Sequence, residues 1–185
     1  RGVRKCRISS CEPTLCMHHL LELLELIEDD PFFRLFILET NGILFGYDKS
    51  YVAELARFSK VYVRLSIKAG DPLNFSKKTG ARGEYFELPF NAIRYLIEHE
   101  IPFHVAAMSL DPRIMDEKER LHLIEKLFSI DPRLLQELEE EIVDPYNMTI
   151  KRLNSAGVRI EWPIRRIYKP IREIYRSILA DRKSR

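Results

Sequence analysis

Glutamine occurs once in this chain of 185 residues, at Gln136, while arginine, lysine and glutamate are abundant. That bias resembles the composition of a thermophile's proteins and says nothing of function. Cysteine is scarce, with 3 residues, all before position 17. An odd count excludes a complete disulfide framework and points to a reducing compartment. No apolar run is long and uninterrupted enough to span a bilayer, and no basic-then-apolar leader with a small-residue cleavage site opens the chain, so a cytoplasmic protein without membrane attachment is expected. No internal repeat and no low-complexity linker is found, which removes solenoids and separate tethered domains. The first residue is Arg1 rather than Met, as in a trimmed or partial chain.

What is present fits one soluble globular domain of 21.9 kDa, with 45% hydrophobic and 31% charged residues. The net charge of +2 hides an uneven distribution. Asp111 to Asp144 holds 11 acids and 5 bases, net −6, and Arg159 to Arg185 holds 9 bases and 3 acids, net +6. The basic segment suits a polyanion such as nucleic acid. The plainer alternative is that the basic C-terminal helix docks on the acidic segment.

Apolar runs of β type alternate with amphipathic helices. "VRKCRIS" precedes "LCMHHLLELLELIE", where Leu20, Leu23, Leu24 and Ile27 share one helical face. "RLFILET" leads through a loop "NGILFGYD" to a helix "KSYVAELARF" capped by Asp48. "KVYVRLSIK" precedes a helix "DPLNFSKKTG", in which Asp71 caps, Pro72 occupies the first turn and Gly80 terminates. "LPFNAIRYLIEH" and the strand "IPFHVAAMS" complete a fourth unit. Beyond Ser109 the pattern turns helical, with "DEKERLHLIEKLF", "DPRLLQELEEEIV" and "MTIKRLNSAG", then "VRIEWP" as a last strand and a terminal helix "KPIREIYRSILADRKSR". Strand–helix alternation implies right-handed crossovers and an α/β fold with a parallel sheet. Residues 1–115 form the expected βα core. Residues 116–185 form a helical extension packed on it in the same domain.

In such folds ligands sit beyond the carboxyl ends of the strands. Four ends are visible: Ser9-Ser10-Cys11-Glu12-Pro13, Glu39-Thr40-Asn41-Gly42, Ser66-Ile67-Lys68-Ala69-Gly70 and Ala106-Ala107-Met108-Ser109. The first three bring hydroxyls, an amide, an ammonium and carboxylates. The fourth is apolar, suited to flank a flat ring. Each has a structural alternative, because Thr-Asn-Gly is a turn signal and Glu-Pro ends a strand.

The succession "RISSCEPT", "ILETNG", "VYVRLSIKAG" and "FHVAAM" resembles the second to fifth strands of the radical S-adenosylmethionine (radical SAM) superfamily, in an archaeal-type branch. The resemblance covers Val3 to about Met115 and implies a parallel curved sheet, a partial (β/α) barrel of truncated TIM type. It implies binding of S-adenosyl-L-methionine across the strand tops. The family's second-strand Gly-Gly-Glu-Pro aligns with Ser10, Cys11, Glu12 and Pro13, with both glycines replaced. Thr40 and Asn41 fall on the cofactor-facing third strand, Ser66 and Lys68 on fourth-strand positions suited to ribose hydroxyls and carboxylate, and Val105 to Met108 beside the adenine. The Cys-x3-Cys-x2-Cys loop that holds a [4Fe–4S] cluster in the family precedes this strand and is not in the sequence. A cluster is therefore expected only if that motif stands upstream in a parent protein, and this chain alone is expected to be inactive.

Cys6, Cys11 and Cys16 with His18 and His19 match neither zinc spacings nor that motif, so no metal site is assigned. Cys6 and Cys16 read as small buried hydrophobes, and Cys11 as a pocket-side thiol. His104 reads as a core or pocket-lining histidine, and Glu137, Glu139, Glu140 and Glu141 as a solvated helix face. Two functions follow: the core of a radical SAM enzyme of unknown substrate, or a non-catalytic protein of the same fold that binds a nucleotide-like ligand or a partner and carries no cluster.

Overall fold

The computed structural model describes residues 2, 4–9 and 11–174. Two compact units divide the chain, residues 1–106 and 107–185. Strands β1 (Lys5–Ile8), β2 (Leu35–Thr40), β3 (Val61–Ile67), β4 (Phe103–Ala107) and β5 (Glu139–Glu140) lie in the order β1-β2-β3-β4-β5, an open α/β sheet. β1 runs parallel to β2 and β2 to β3, with Arg7 opposite Ile37 and Glu39 opposite Arg64. Helices α1 (Met17–Asp29), α2 (Ile43–Tyr47), α3 (Ser50–Leu55), α4 (Pro72–Thr79) and α5 (Leu88–Glu98) complete the first unit.

Alternation decides which face each strand residue takes. In β2, Phe36, Leu38 and Thr40 are buried while Leu35, Ile37 and Glu39 are half-buried. In β3, Val61, Val63, Leu65 and Ile67 form the apolar row, and Tyr62, Arg64 and Ser66 the opposite one. On that second face the Glu39 carboxylate accepts from Arg64 Nη1 at 2.6 Å and from Arg7 Nε at 3.1 Å, bracing three strands. Lys60 locks α1 to the sheet: its ammonium donates to the carbonyls of Ile27, Glu28 and Asp30 at 2.8, 2.6 and 2.8 Å, satisfying carbonyls that the helix end leaves open.

The segment read as a loop, "NGILFGYD", contains a helix, α2. Its cause lies in three residues. Asn41 Oδ1 accepts from Ile43 N at 2.9 Å, Gly42 takes the left-handed conformation at φ 74°, and Phe45 is fully buried. At Gly46 a Cβ would lie 1.8 Å from the Leu88 carbonyl oxygen, so only glycine lets α2 and α5 approach this closely. Asp48 stands one residue before the N-cap of the following helix, which is Lys49, and accepts from Ser50 N at 2.9 Å. Asp71, Pro72 and Gly80 act as their sequence positions suggest, and Asp71 Oδ1 accepts from Asn74 N at 2.9 Å.

In the second unit α6 (Glu117–Ile130) is capped by Asp116, and α7 (Asn147–Ser155) follows β5. The run "DPRLLQELEEEIV" is not one helix. It forms a 3-10 turn, Pro132–Leu135, and then β5. "VRIEWP" forms no strand. The expected terminal helix is seen as helix at residues 171–174, and the rest of it, with the last part of the basic tail, lies outside the described residues.

The Glu run is solvated only in part: Glu137 and Glu139 are exposed, Glu141 is half-buried and the Glu140 side chain is buried. The Glu140 carboxylate accepts from Ser109 Oγ at 2.9 Å, Arg120 Nη2 at 2.8 Å and Ile171 N at 2.6 Å. Asp111, fully buried, accepts from Arg113 Nε and Nη2 at 2.9 and 2.6 Å and from Val143 N at 2.9 Å. Burial alone would push its carboxyl pKa up, but hydrogen bonds from Arg113 and Val143 outweigh this and hold it below the ordinary value. A depressed folded-state pKa adds stability that is present above the unfolded value, about 3.9, and is lost as pH falls through the folded value. Asp111→Asn should therefore lower the unfolding free energy of this unit by about 3 kcal/mol at neutral pH. In denaturant melts between pH 7 and pH 3 the deficit should shrink toward the acid end; a deficit independent of pH would contradict this role.

Candidate functional site

The strand ends of the first unit meet at a small set of atoms. β1 stops at Ile8, and the chain turns at Cys11, whose φ of 53° is left-handed, a conformation that ordinarily favours glycine. Glu12 and Pro13 then start a 3-10 turn, Pro13–Cys16, with Glu12 as its cap. Thr14 is not the cap that its type suggests. It is the donor, giving both its backbone N–H and its hydroxyl to Glu12 Oε1 at 3.3 and 2.7 Å.

The same carboxylate reaches across to β2. Oε1 accepts from Thr40 Oγ1 at 2.6 Å and Oε2 from Asn41 N at 2.7 Å. Thr40, 2% exposed, in turn accepts from Gly42 N at 3.1 Å. Glu12 therefore fastens the first strand end to the second, through hydroxyls and a backbone amide rather than through a base such as Lys68. Lys68 Nζ instead donates to Ser66 Oγ at 2.6 Å.

A cavity of about 290 Å³ opens at these ends, lined on its polar side by Asn41, Ser66 and Lys68. The rest of its lining is Ile43, Phe75, Thr79, Ala81, Tyr85 and Pro89, mostly apolar. Sequence reasoning named the polar side and missed the wall. A signal for it existed in "NFSKKTGARGEYF", where aromatics flank a helix stop, but nothing in that pattern says which way they face. Ser66 is buried and Lys68 exposed, and Lys68 forms no ion pair with a carboxylate among the described residues. An ammonium at the rim of an apolar bowl suits an anionic group attached to an apolar body.

Several expected site residues stand elsewhere. Ser10 lies outside the described residues. Cys11 and Glu12 do not line the cavity; Cys11 is exposed, and Glu12 acts through Thr40 and Asn41. Val105 is 1% exposed and is not among the lining residues, and Met108, in the second unit, is 36% exposed. Cys16 is exposed rather than a buried hydrophobe. Cys6 is half-buried, its thiol donating to Leu35 O at 3.7 Å, and burial pushes its pKa up. His104 Nδ1 lies 3.0 Å from Tyr62 Oη. Among the described residues no group of three His, Cys, Asp or Glu is placed to hold a metal ion, and no helix is long and apolar enough to cross a membrane.

A family model described as the Radical SAM superfamily matches residues 1–117. The chain belongs to the radical SAM superfamily. Solved structures similar to it include anSMEcpe with bound AdoMet, at 19% identity and TM-score 0.58, with 81% of this chain and 40% of that chain covered. Streptococcus suis SuiB bound to S-adenosylmethionine is similar at 18% identity and TM-score 0.54, covering 83% of this chain and 35% of that one. SuiB bound to its precursor peptide SuiA gives the same identity and TM-score. This radical SAM chain thus spans less than half the length of these neighbours, and at such identities the likeness shows the fold. No curated protein matches.

Two outcomes test the geometry. Glu12→Ala leaves the Thr40 hydroxyl and the Asn41 amide without their acceptor and should cost about 2 kcal/mol in denaturant unfolding, with amide shifts at residues 40–43. Unchanged stability would remove Glu12 as the tie. Cys11→Gly should raise stability by about 0.5–1 kcal/mol by relieving the left-handed strain, net of glycine's greater freedom when unfolded; a loss would show that the Cys11 side chain contributes contacts of its own.

Proposed function

We propose that this chain is the core of a radical SAM enzyme and that Asn41, Ser66 and Lys68 hold S-adenosylmethionine at the carboxyl ends of β2 and β3. The observation that carries this reading is the convergence of an amide, a hydroxyl and an ammonium from two strand ends on one cavity. The donor set fits the ligand: Lys68 suits its carboxylate, and Ser66 and Asn41 suit hydroxyl groups. Glu12 and Thr40 position Asn41, and Pro13 sets the turn. Cys11 keeps the left-handed backbone that the family's glycine would give, so the replaced glycine pair does not by itself remove the site.

A reduced [4Fe–4S] cluster, where one is bound, would supply the electron for radical chemistry on the cofactor. The described residues do not fit a cluster, since the three cysteines are spread over a strand, a strained turn and a helix start, and no step is assigned through one. What this chain's residues do is bind and orient. A peptide is the substrate class supported by the peptide-bound neighbour SuiB, and a cytoplasmic site of action accords with this chemistry's need for reducing conditions. The alternative is a ligand-binding protein of the same fold without a cluster.

Calorimetric titration of S-adenosylmethionine into this chain tests the reading. Binding is expected with a dissociation constant weaker than about 1 μM, because no cluster iron contributes ligand bonds, and Lys68→Ala should weaken it a further tenfold, roughly 1.4 kcal/mol. A constant unchanged by both Asn41→Ala and Lys68→Ala would contradict the assignment.

A further inference from the structure

The acidic and basic stretches of the second unit meet, but not through opposite charges on their side chains. Residues 158–170 have no regular secondary structure, and the bonds that hold them run to their backbone. The Arg113 guanidinium donates to the Glu161 carbonyl, and Arg120 Nη2 donates to the Lys169 carbonyl at 2.9 Å. Tyr168 N donates to the Leu110 carbonyl at 3.0 Å, and Ile171 N donates to Glu140 Oε2 at 2.6 Å. Both guanidiniums are oriented by buried carboxylates, Arg113 by Asp111 and Arg120 by Glu140. The acidic stretch therefore clamps the basic one with two arginines of its own, and the cations of the basic stretch are left out of the clamp.

Between Arg159 and Ile174 stand five bases and two acids. Arg159, Arg165, Arg166, Lys169 and Arg172 are all exposed. Arg165 pairs with Glu161 at 3.1 Å, and an exposed pair of this kind contributes little. The other four form no ion pair with a carboxylate among the described residues. Like charges fixed along one clamped segment repel one another and attract a polyanion. Trp162, the one tryptophan of the chain, stands among them. The Arg113 guanidinium lies over its ring, 5.9 Å from the centroid, and the indole is 44% exposed. Tyr168 serves differently: it is half-buried with the Arg120 guanidinium 5.0 Å from its ring centroid, an anchor rather than a surface. An indole steadied by a buried guanidinium and open to solvent is a stacking platform for a flat, unpaired base.

We propose that residues 159–172 form a docking surface for single-stranded nucleic acid, with phosphates met by Arg159, Arg166, Lys169 and Arg172 and a base stacked on Trp162. The surface lies within the second unit, and no part of the proposal rests on the strand-end cavity or on its cofactor. Four of the five bases are arginine, whose planar fork meets a phosphate with two parallel hydrogen bonds. An acidic protein segment would use the same cations but gives no role to an open indole among them. A duplex keeps its bases stacked on one another and away from that indole.

Because Trp162 is the single tryptophan, its fluorescence reads the surface without a label. Three probes are titrated into the full chain: a single-stranded oligonucleotide of about 12 nucleotides, its duplex, and poly-glutamate. Circular dichroism melts confirm that each variant folds. The single strand should quench Trp162 and bind with a dissociation constant of about 100 μM or tighter at about 50 mM salt. Log affinity should fall against log salt with a slope of about −3, four phosphate contacts at about −0.7 each. Arg166→Ala combined with Lys169→Ala should flatten that slope by about 1.4. Trp162→Ala, followed by the anisotropy of a labelled strand, should weaken binding about tenfold or more with the slope unchanged, while Trp162→Phe retains most of the affinity.

Absence of quenching by the single strand would overturn the proposal, as would duplex binding as tight as that of the single strand. Single-strand affinity indifferent to Trp162→Ala would overturn it too, since phosphate contact alone needs no indole. Poly-glutamate bound as tightly as the strand, with Trp162 emission unchanged and with loss of binding in the Arg166→Ala, Lys169→Ala variant, would assign the surface to an acidic protein segment instead.

Discussion

The Glu12 carboxylate takes hydrogen bonds from the Thr14 amide and hydroxyl, the Thr40 hydroxyl and the Asn41 amide, and so couples two strand ends 28 residues apart in sequence. Each of these bonds has a carboxylate as acceptor, the stronger class of hydrogen bond. The consequences spread from that point. Thr40, held by Glu12, accepts from Gly42 N, and Asn41, held by its amide, caps Ile43. The left-handed turn at Gly42 then seats α2 against α5, where Gly46 permits a contact that any side chain would block. The cavity's polar side and the entry of α2 are set by the same few bonds.

The second unit uses the same device on its own terms. Asp111 collects a guanidinium and two backbone amides, and Glu140 collects a hydroxyl, a guanidinium and the amide of Ile171. Buried carboxylates are costly to desolvate and persist only when their lone pairs are filled. Asp111 takes Arg113 from two residues away and Val143 from 32, and the donors to Glu140 come from 20 to 31 residues away, so each acid ties separate segments together. Lys68, at the cavity, by contrast is left with spare capacity. Lys68 keeps an ammonium at the cavity rim with Ser66 as its hydrogen-bond partner, which is what a site for an anion requires.

Much of the first unit was legible in the sequence because its signals are local. Alternation in "RLFILET" and "KVYVRLSIK" marks strands, and Asp71, Pro72 and Gly80 mark a helix at both ends. The order of strand ends then sufficed to bring Asn41, Ser66 and Lys68 to one place. What could not be read depends on partners far away in the chain. Glu140 looks solvated in "ELEEE" and is buried because Ser109, Arg120 and Ile171 surround it. Residues 43–47 look like a loop because glycine precedes and interrupts a short apolar run; tertiary contact with α5 makes them helical. The cavity wall escaped notice for the same reason, since the direction in which Tyr85 points is decided by where Phe86 is buried.

Amide hydrogen exchange with and without saturating S-adenosylmethionine probes the strand-end site most directly. Binding at the strand ends predicts slowed exchange at residues 40–43, at 66–70 and along 79–85, with β1 and α1 amides little changed. Protection confined to other segments, or none at a concentration where calorimetry registers binding, would contradict the claim that these strand ends form the cofactor site.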